Sequence, residues 1–88
     1  MKLKEGFVLR QVAGSWIVLP VGVASVDFNG MVSLNETGAL LWQALERGCE
    51  IDGLVEAVLA EYRVSRDQAR TDVVQFLENL SKVGCLEP

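Results

Sequence analysis

The apolar residues of this chain change their spacing at Asn35, and that change limits the folds open to it. Before Asn35, β-branched and aromatic residues come in short runs broken by turn residues; after it, apolar residues recur at helical intervals. The clearest periodic stretch is Ile51, Leu54, Val55, Val58, Leu59 and Tyr62, which follows i, i+3, i+4, i+7, i+8, i+11 without a miss. Strands first and helices second in an 88-residue chain predict a single α+β domain over residues 1–88, because a chain of this length has room for one hydrophobic core.

In the first half, residues 7–12 and 16–19 flank Ala13-Gly14-Ser15, which predicts a hairpin whose glycine supplies the positive φ of the reversal. Residues 16–19 are apolar at every position, so the second strand is expected to be central with both faces covered. Pro20-Val21-Gly22-Val23 reads as a crossing loop, because proline cannot donate to a ladder. Asn29-Gly30 between Ala24-Ser25-Val26-Asp27-Phe28 and Met31-Val32-Ser33-Leu34 predicts a second hairpin, in which the dipeptide accepts both positive φ angles of a type I′ turn.

In the second half, Asn35 is an N-cap for a helix over residues 36–47, with Leu41, Trp42 and Leu45 inward and Gly48 as its left-handed end. A second helix covers residues 51–62. Ser65 and Gln68 form a capping box that opens a third helix to about residue 82, ended by Gly84. Its expected core stripe is Ala69, Val73, Phe76, Leu77, Leu80 and Val83, with Leu77 at the rim. Trp16 and Trp42 are both assigned to the core, since large aromatics in small domains mostly fill it.

Eight basic against twelve acidic residues leave a net charge of −4, which repels phosphate backbones and argues against nucleic acid as a partner. No apolar run reaches the roughly 20 residues that a bilayer span demands, and the N-terminus lacks a signal-peptide pattern, so a cytoplasmic location is expected. The chain has no histidine, the usual general base near neutral pH. Its carboxylates fall off the apolar stripes, and its glycines show neither phosphate-loop nor dinucleotide spacing. Cys49 and Cys85 are too few for a disulfide scaffold and read as reduced, half-buried thiols. The expectation is a protein that is not an enzyme and takes no cofactor or metal.

The segment Leu34-Asn35-Glu36-Thr37-Gly38-Ala39-Leu40-Leu41-Trp42, the apolar positions Ile51, Leu54, Val55, Leu59 and Tyr62, and the run Val73-Val74-Gln75-Phe76-Leu77-Glu78-Asn79-Leu80 with Gly84 and Leu86 together resemble the PqqD-like family. The likeness covers nearly the whole chain, and its most specific part is L-N-x-T-G-x-x-x-W. It implies a winged-helix-turn-helix-like α+β fold, a three-stranded antiparallel sheet followed by three helices, with an extra hairpin strand left open. It also implies a non-catalytic recognition element for ribosomally made, modified peptides, which holds the leader segment of a precursor for a modifying enzyme. In the founding member, which serves pyrroloquinoline quinone synthesis, that enzyme is a radical S-adenosylmethionine (radical SAM) protein. The segment of residues 21–30 is longer here than the matching connection of the founding member, which favours another modified-peptide pathway.

In the family the leader lies as an added strand along the third strand, beside the third helix. Carried over, the strand side is Met31, Val32, Ser33 and Leu34. The helix side is expected to be the flank with Arg70, Val74, Leu77 and Ser81, where Val74 is an apolar residue off the core stripe and Arg70 is placed to pair with an acidic leader residue. The bland readings are an exposed valine and a solvated arginine. Two other functions fit the same element order: a winged-helix DNA-binding module, against which the mixed charge of the third helix speaks, and a docking scaffold that grips no peptide. A strand edge can also be satisfied by a second copy of the chain, which leaves a homodimer open.

Overall fold

The computed structural model describes residues 2–22 and 30–87. Strands β1 (Phe7–Val12), β2 (Ser15–Pro20) and β3 (Val32–Leu34) form one antiparallel sheet in the order β1-β2-β3. Helices α1 (Glu36–Glu46), α2 (Ile51–Glu61) and α3 (Arg66–Val83) follow. The expected sheet-then-helices architecture is therefore the one found. The strand expected at residues 24–28 lies outside the described residues.

The β1-β2 reversal is tighter than its sequence suggests. Val12 pairs with Ser15, so the loop is Ala13-Gly14 alone, and both residues have positive φ (52° and 80°). That is the sign pattern of a type I′ turn, reached with an alanine where asparagine or glycine is usual. β2 is central as expected, but only Val18 is fully buried there; Trp16, Ile17 and Leu19 are half-buried. Pro20 closes β2 opposite Phe7 instead of opening a loop, a place at a strand end where its missing N–H costs little. Val21 then donates its N–H to the Gly6 carbonyl at 2.7 Å.

Each helix is bounded by chemistry visible in the sequence. The Asn35 side chain accepts from the Gly38 N–H at 2.7 Å, and the Ser65 hydroxyl accepts from the Gln68 N–H at 3.1 Å. Only half of the predicted capping box forms: the Gln68 amide turns forward and donates to Asp72 at 2.8 Å. Gly48 and Gly84 both take φ near +86° after the helix ends, a conformation that favours glycine.

The core is made by Val18 of the sheet with Leu41, Trp42 and Leu45 of α1, Leu54, Val55 and Val58 of α2, and Ala69, Val73, Leu77 and Leu80 of α3. Trp42 is 1% exposed, whereas Trp16 is half-buried and outside this cluster, so only one of the two tryptophans fills the core. Phe76 and Val83, expected in the stripe, lie at its margin, and Val83 is 40% exposed. Among the described residues no helix is long and apolar enough to cross a membrane.

The ends of the chain meet in an arrangement that periodicity does not foretell. Leu3 bridges to Leu86, the Lys4 N–H donates to the Cys85 carbonyl, and the Glu87 N–H donates to the Lys2 carbonyl, both at 2.8 Å. This clasp ties the C-terminal end of α3 to the segment that leads into β1.

Candidate functional site

A groove of about 450 Å³ runs between β3 and α3. Its strand wall is Val32, Ser33 and Leu34, and its helix wall is Asp72, Gln75, Phe76, Asn79 and Val83. Leu41 and Leu80, each 1% exposed, form the floor that joins the groove to the core.

The strand wall follows from the junction at Leu34 and Asn35. Among the described residues β3 pairs with β2 alone, through Val18↔Val32, Ile17↔Ser33 and Trp16↔Leu34. Its other edge therefore presents backbone N–H and C=O groups of alternate residues to the groove. Asn35 caps α1 directly after β3, and Gly38 lets the helix start against the strand. A Cβ at Gly38 would stand 3.2 Å from both the Leu34 Cβ and the Asn35 Oδ1. The asparagine and glycine of the L-N-x-T-G motif thus have a local structural reason: together they set the helix hard against the groove's strand.

The helix wall is a register of α3 residues at 72, 75, 76, 79 and 83, which lie on one face of a 3.6-residue helix. Phe76 is half-buried and packs against the core cluster, while Gln75 and Asn79 are exposed on the rim. Both amides carry donors and an acceptor, the groups needed to bond a second backbone.

Of the sequence-predicted site residues, Val32, Ser33 and Leu34 line this groove. Met31 precedes β3 and is 65% exposed. The helix-side residues fall elsewhere. Leu77 is buried in the core at 7% exposure. Arg70 and Val74 lie on a second, shallower depression with Asp67, Thr71 and Glu78, and Ser81 is exposed without lining either concavity. Asp72, Gln75, Phe76, Asn79 and Val83 take the place on the groove that the sequence reading gave to Arg70, Val74, Leu77 and Ser81.

The physical reason is the position of α2. Arg66 pairs with Glu56 at 2.7 Å and Arg70 with Asp52 at 3.4 Å, so the flank of α3 that holds Arg70 is turned toward α2. The opposite flank is left to face β3. A signal for this was present in the sequence: two acids at i, i+4 on α2 and two arginines at i, i+4 on α3, in the order that antiparallel neighbours require.

The thiols are set apart from the groove. Burial raises the Cys85 pKa, and Lys4 opposes this only in part, so the thiol is held protonated, the reverse of what a nucleophile needs. Cys49 is half-buried beside Gly53. Among the described residues no three His, Cys, Asp or Glu side chains converge as a metal site would require.

Residues 15–86 match the family model described as coenzyme PQQ synthesis protein D. No curated protein matches the chain. Two solved structures share its fold. The first, "TbiB1 in Complex with the TbiA(beta) Leader Peptide", has a TM-score of 0.80 at 26% identity and covers 99% of this chain and 95% of its own. The second, "Lasso peptide synthetase B1 complexed with the leader peptide", has a TM-score of 0.79 at 23% identity, with coverage of 99% and 96%.

Proposed function

The chain belongs to the PqqD family, and on that premise we propose that it binds the leader segment of a ribosomally made precursor peptide by strand addition and presents it to a modifying enzyme. The observation that carries this reading is the edge of β3, unpaired among the described residues, beside a groove whose floor is apolar and whose rim is amide-bearing. An extended guest gains backbone bonds along Met31, Val32, Ser33 and Leu34, while its alternate side chains enter the space before Phe76 and Leu34. Two proteins of the same fold, each held with a leader peptide, support the reading.

The chain acts here as a binding protein, not as an enzyme, working in the cytoplasm beside the precursor. The enzyme it serves is, by resemblance to the founding member, a radical SAM protein; the likeness to TbiB1 and to the lasso peptide synthetase protein makes a lasso peptide pathway the competing assignment. Co-purification of the chain with the enzyme encoded beside it decides between them.

Strand addition is tested by amide hydrogen exchange with a peptide selected on the full chain from a library of blocked extended peptides. Protection is expected to appear at residues 32–34, and N-methylation of alternate peptide amides is expected to abolish binding while the intervening ones tolerate it. Protection gained along β1 instead, or a binding pattern indifferent to N-methylation, overturns the reading. Concentration-dependent mass without peptide, with protection at the same residues, assigns the edge to a second copy of the chain.

A further inference from the structure

Asp72 is the one ionisable side chain on the groove, among the described residues. It is half-buried, and its Oδ1 accepts from the Gln68 side-chain amide at 2.8 Å. Two acids on the neighbouring helix, Asp52 and Glu56, each have an arginine. A carboxylate on a groove wall attracts a cation that enters the groove. Among the described residues no cation lines the groove on either wall, which leaves that position to a cation carried by the ligand.

For a guest strand that runs along α3, the spacing sets where on the ligand that cation sits. Asp72 and Phe76 are one helical turn apart, about 6 Å along the axis. An extended strand rises about 3.4 Å per residue, so two residues cover the same distance and return to the same face. From Asp72 to Val83 the helix wall is about 16 Å long, room for about five strand residues. We infer that the groove selects extended peptides bearing a lysine or arginine opposite Asp72 and a bulky apolar residue two positions away against Phe76. The inference rests on the strand-addition reading and names the class of leader it accepts. The net charge of −4 works in the same direction, raising the encounter rate of cationic peptides at low salt.

The test uses the full chain and a positional library of acetylated, amidated peptides of about nine residues, long enough to exceed the helix wall at both ends. Selection is expected to enrich Lys or Arg two positions from Leu, Ile, Phe or Tyr. Asp72→Asn is expected to weaken the best peptide by about five- to tenfold, and the same peptide with Gln for its basic residue by less than about twofold, as for one charge-assisted bond. Asp72→Lys is expected to turn the preference at that position to Asp or Glu, a gain that a misfolded variant cannot give. Peptides that protect residues 32–34 yet carry no basic residue at this spacing overturn the inference and leave strand addition standing. An equal effect of Asp72→Asn on the Lys and Gln peptides overturns it as well. A library from which nothing binds, or binding that protects only β1, removes strand addition itself and the inference with it.

Discussion

The two flanks of α3 flank the same buried stripe and meet opposite fates. One, with Arg66 and Arg70, is turned to α2 and closed by ion pairs to Glu56 and Asp52. The other, with Asp72, Phe76 and Asn79, faces the β3 edge, and its charged member has no counter-ion among the described residues. The contrast separates what holds the fold from what is left for a ligand. A flank whose arginines are paired within the chain offers them less readily to a guest; one with amides, an aromatic ring and an acid without a counter-ion beside open backbone offers several kinds of contact at once.

Substitutions along α3 can break this comparison. The largest effect is expected on the stripe between the flanks: Leu77→Ala should lower stability by about 2–4 kcal/mol in urea denaturation, since it empties a core site. A loss under about 0.5 kcal/mol would move Leu77 from the core to the rim of the stripe, beside the groove flank that the resemblance implied. Next, Phe76→Ala should weaken binding of the library-selected peptide by about tenfold, because it removes the apolar contact on the groove wall. By contrast, Val74→Glu should change that affinity by less than about twofold, as expected of a position outside the groove; calorimetry that finds the reverse order would exchange the two flanks.

Smaller effects sharpen the contrast. Asn35→Ala, on the opposite wall, removes the cap of α1 and should cost about 1 kcal/mol of stability, read as a shift in the denaturation midpoint. Smallest of all, Arg66→Ala should cost no more than about 0.5 kcal/mol, because both partners of its pair are more than half exposed and salt already screens them. A loss well above that would mean that the α2-facing flank is held by its ion pair rather than by the packing beneath it.

Much of the architecture was legible from local rules. Asn35, Gly48, Ser65 and Gly84 sit where their chemistry bounds a helix, and the period of Ile51 to Tyr62 marks α2 with an error of one residue at its end. The candidate site was legible in part. Val32, Ser33 and Leu34, which line the groove, were named from the family resemblance, carried onto a strand whose end the Asn35 cap marks locally. The helix wall was not, because an exposed Val74 and a half-buried Phe76 are equally apolar in a sequence, and only the neighbours of each decide which one reaches the groove. The clasp between the chain ends escaped for a related reason, since Leu3 and Leu86 carry no pattern that points each to the other.

Taken alone, the sequence determined the order of elements, their caps and the central line of each helix that must be buried, since these depend on residues within a turn or two of one another. Tertiary structure alone decided the rotation of α3 about that line. A helix buries one stripe and leaves two flanks with similar local energies, and the docking of α2 on the arginine-bearing flank is what turns Asp72 and Phe76 toward the open edge of β3.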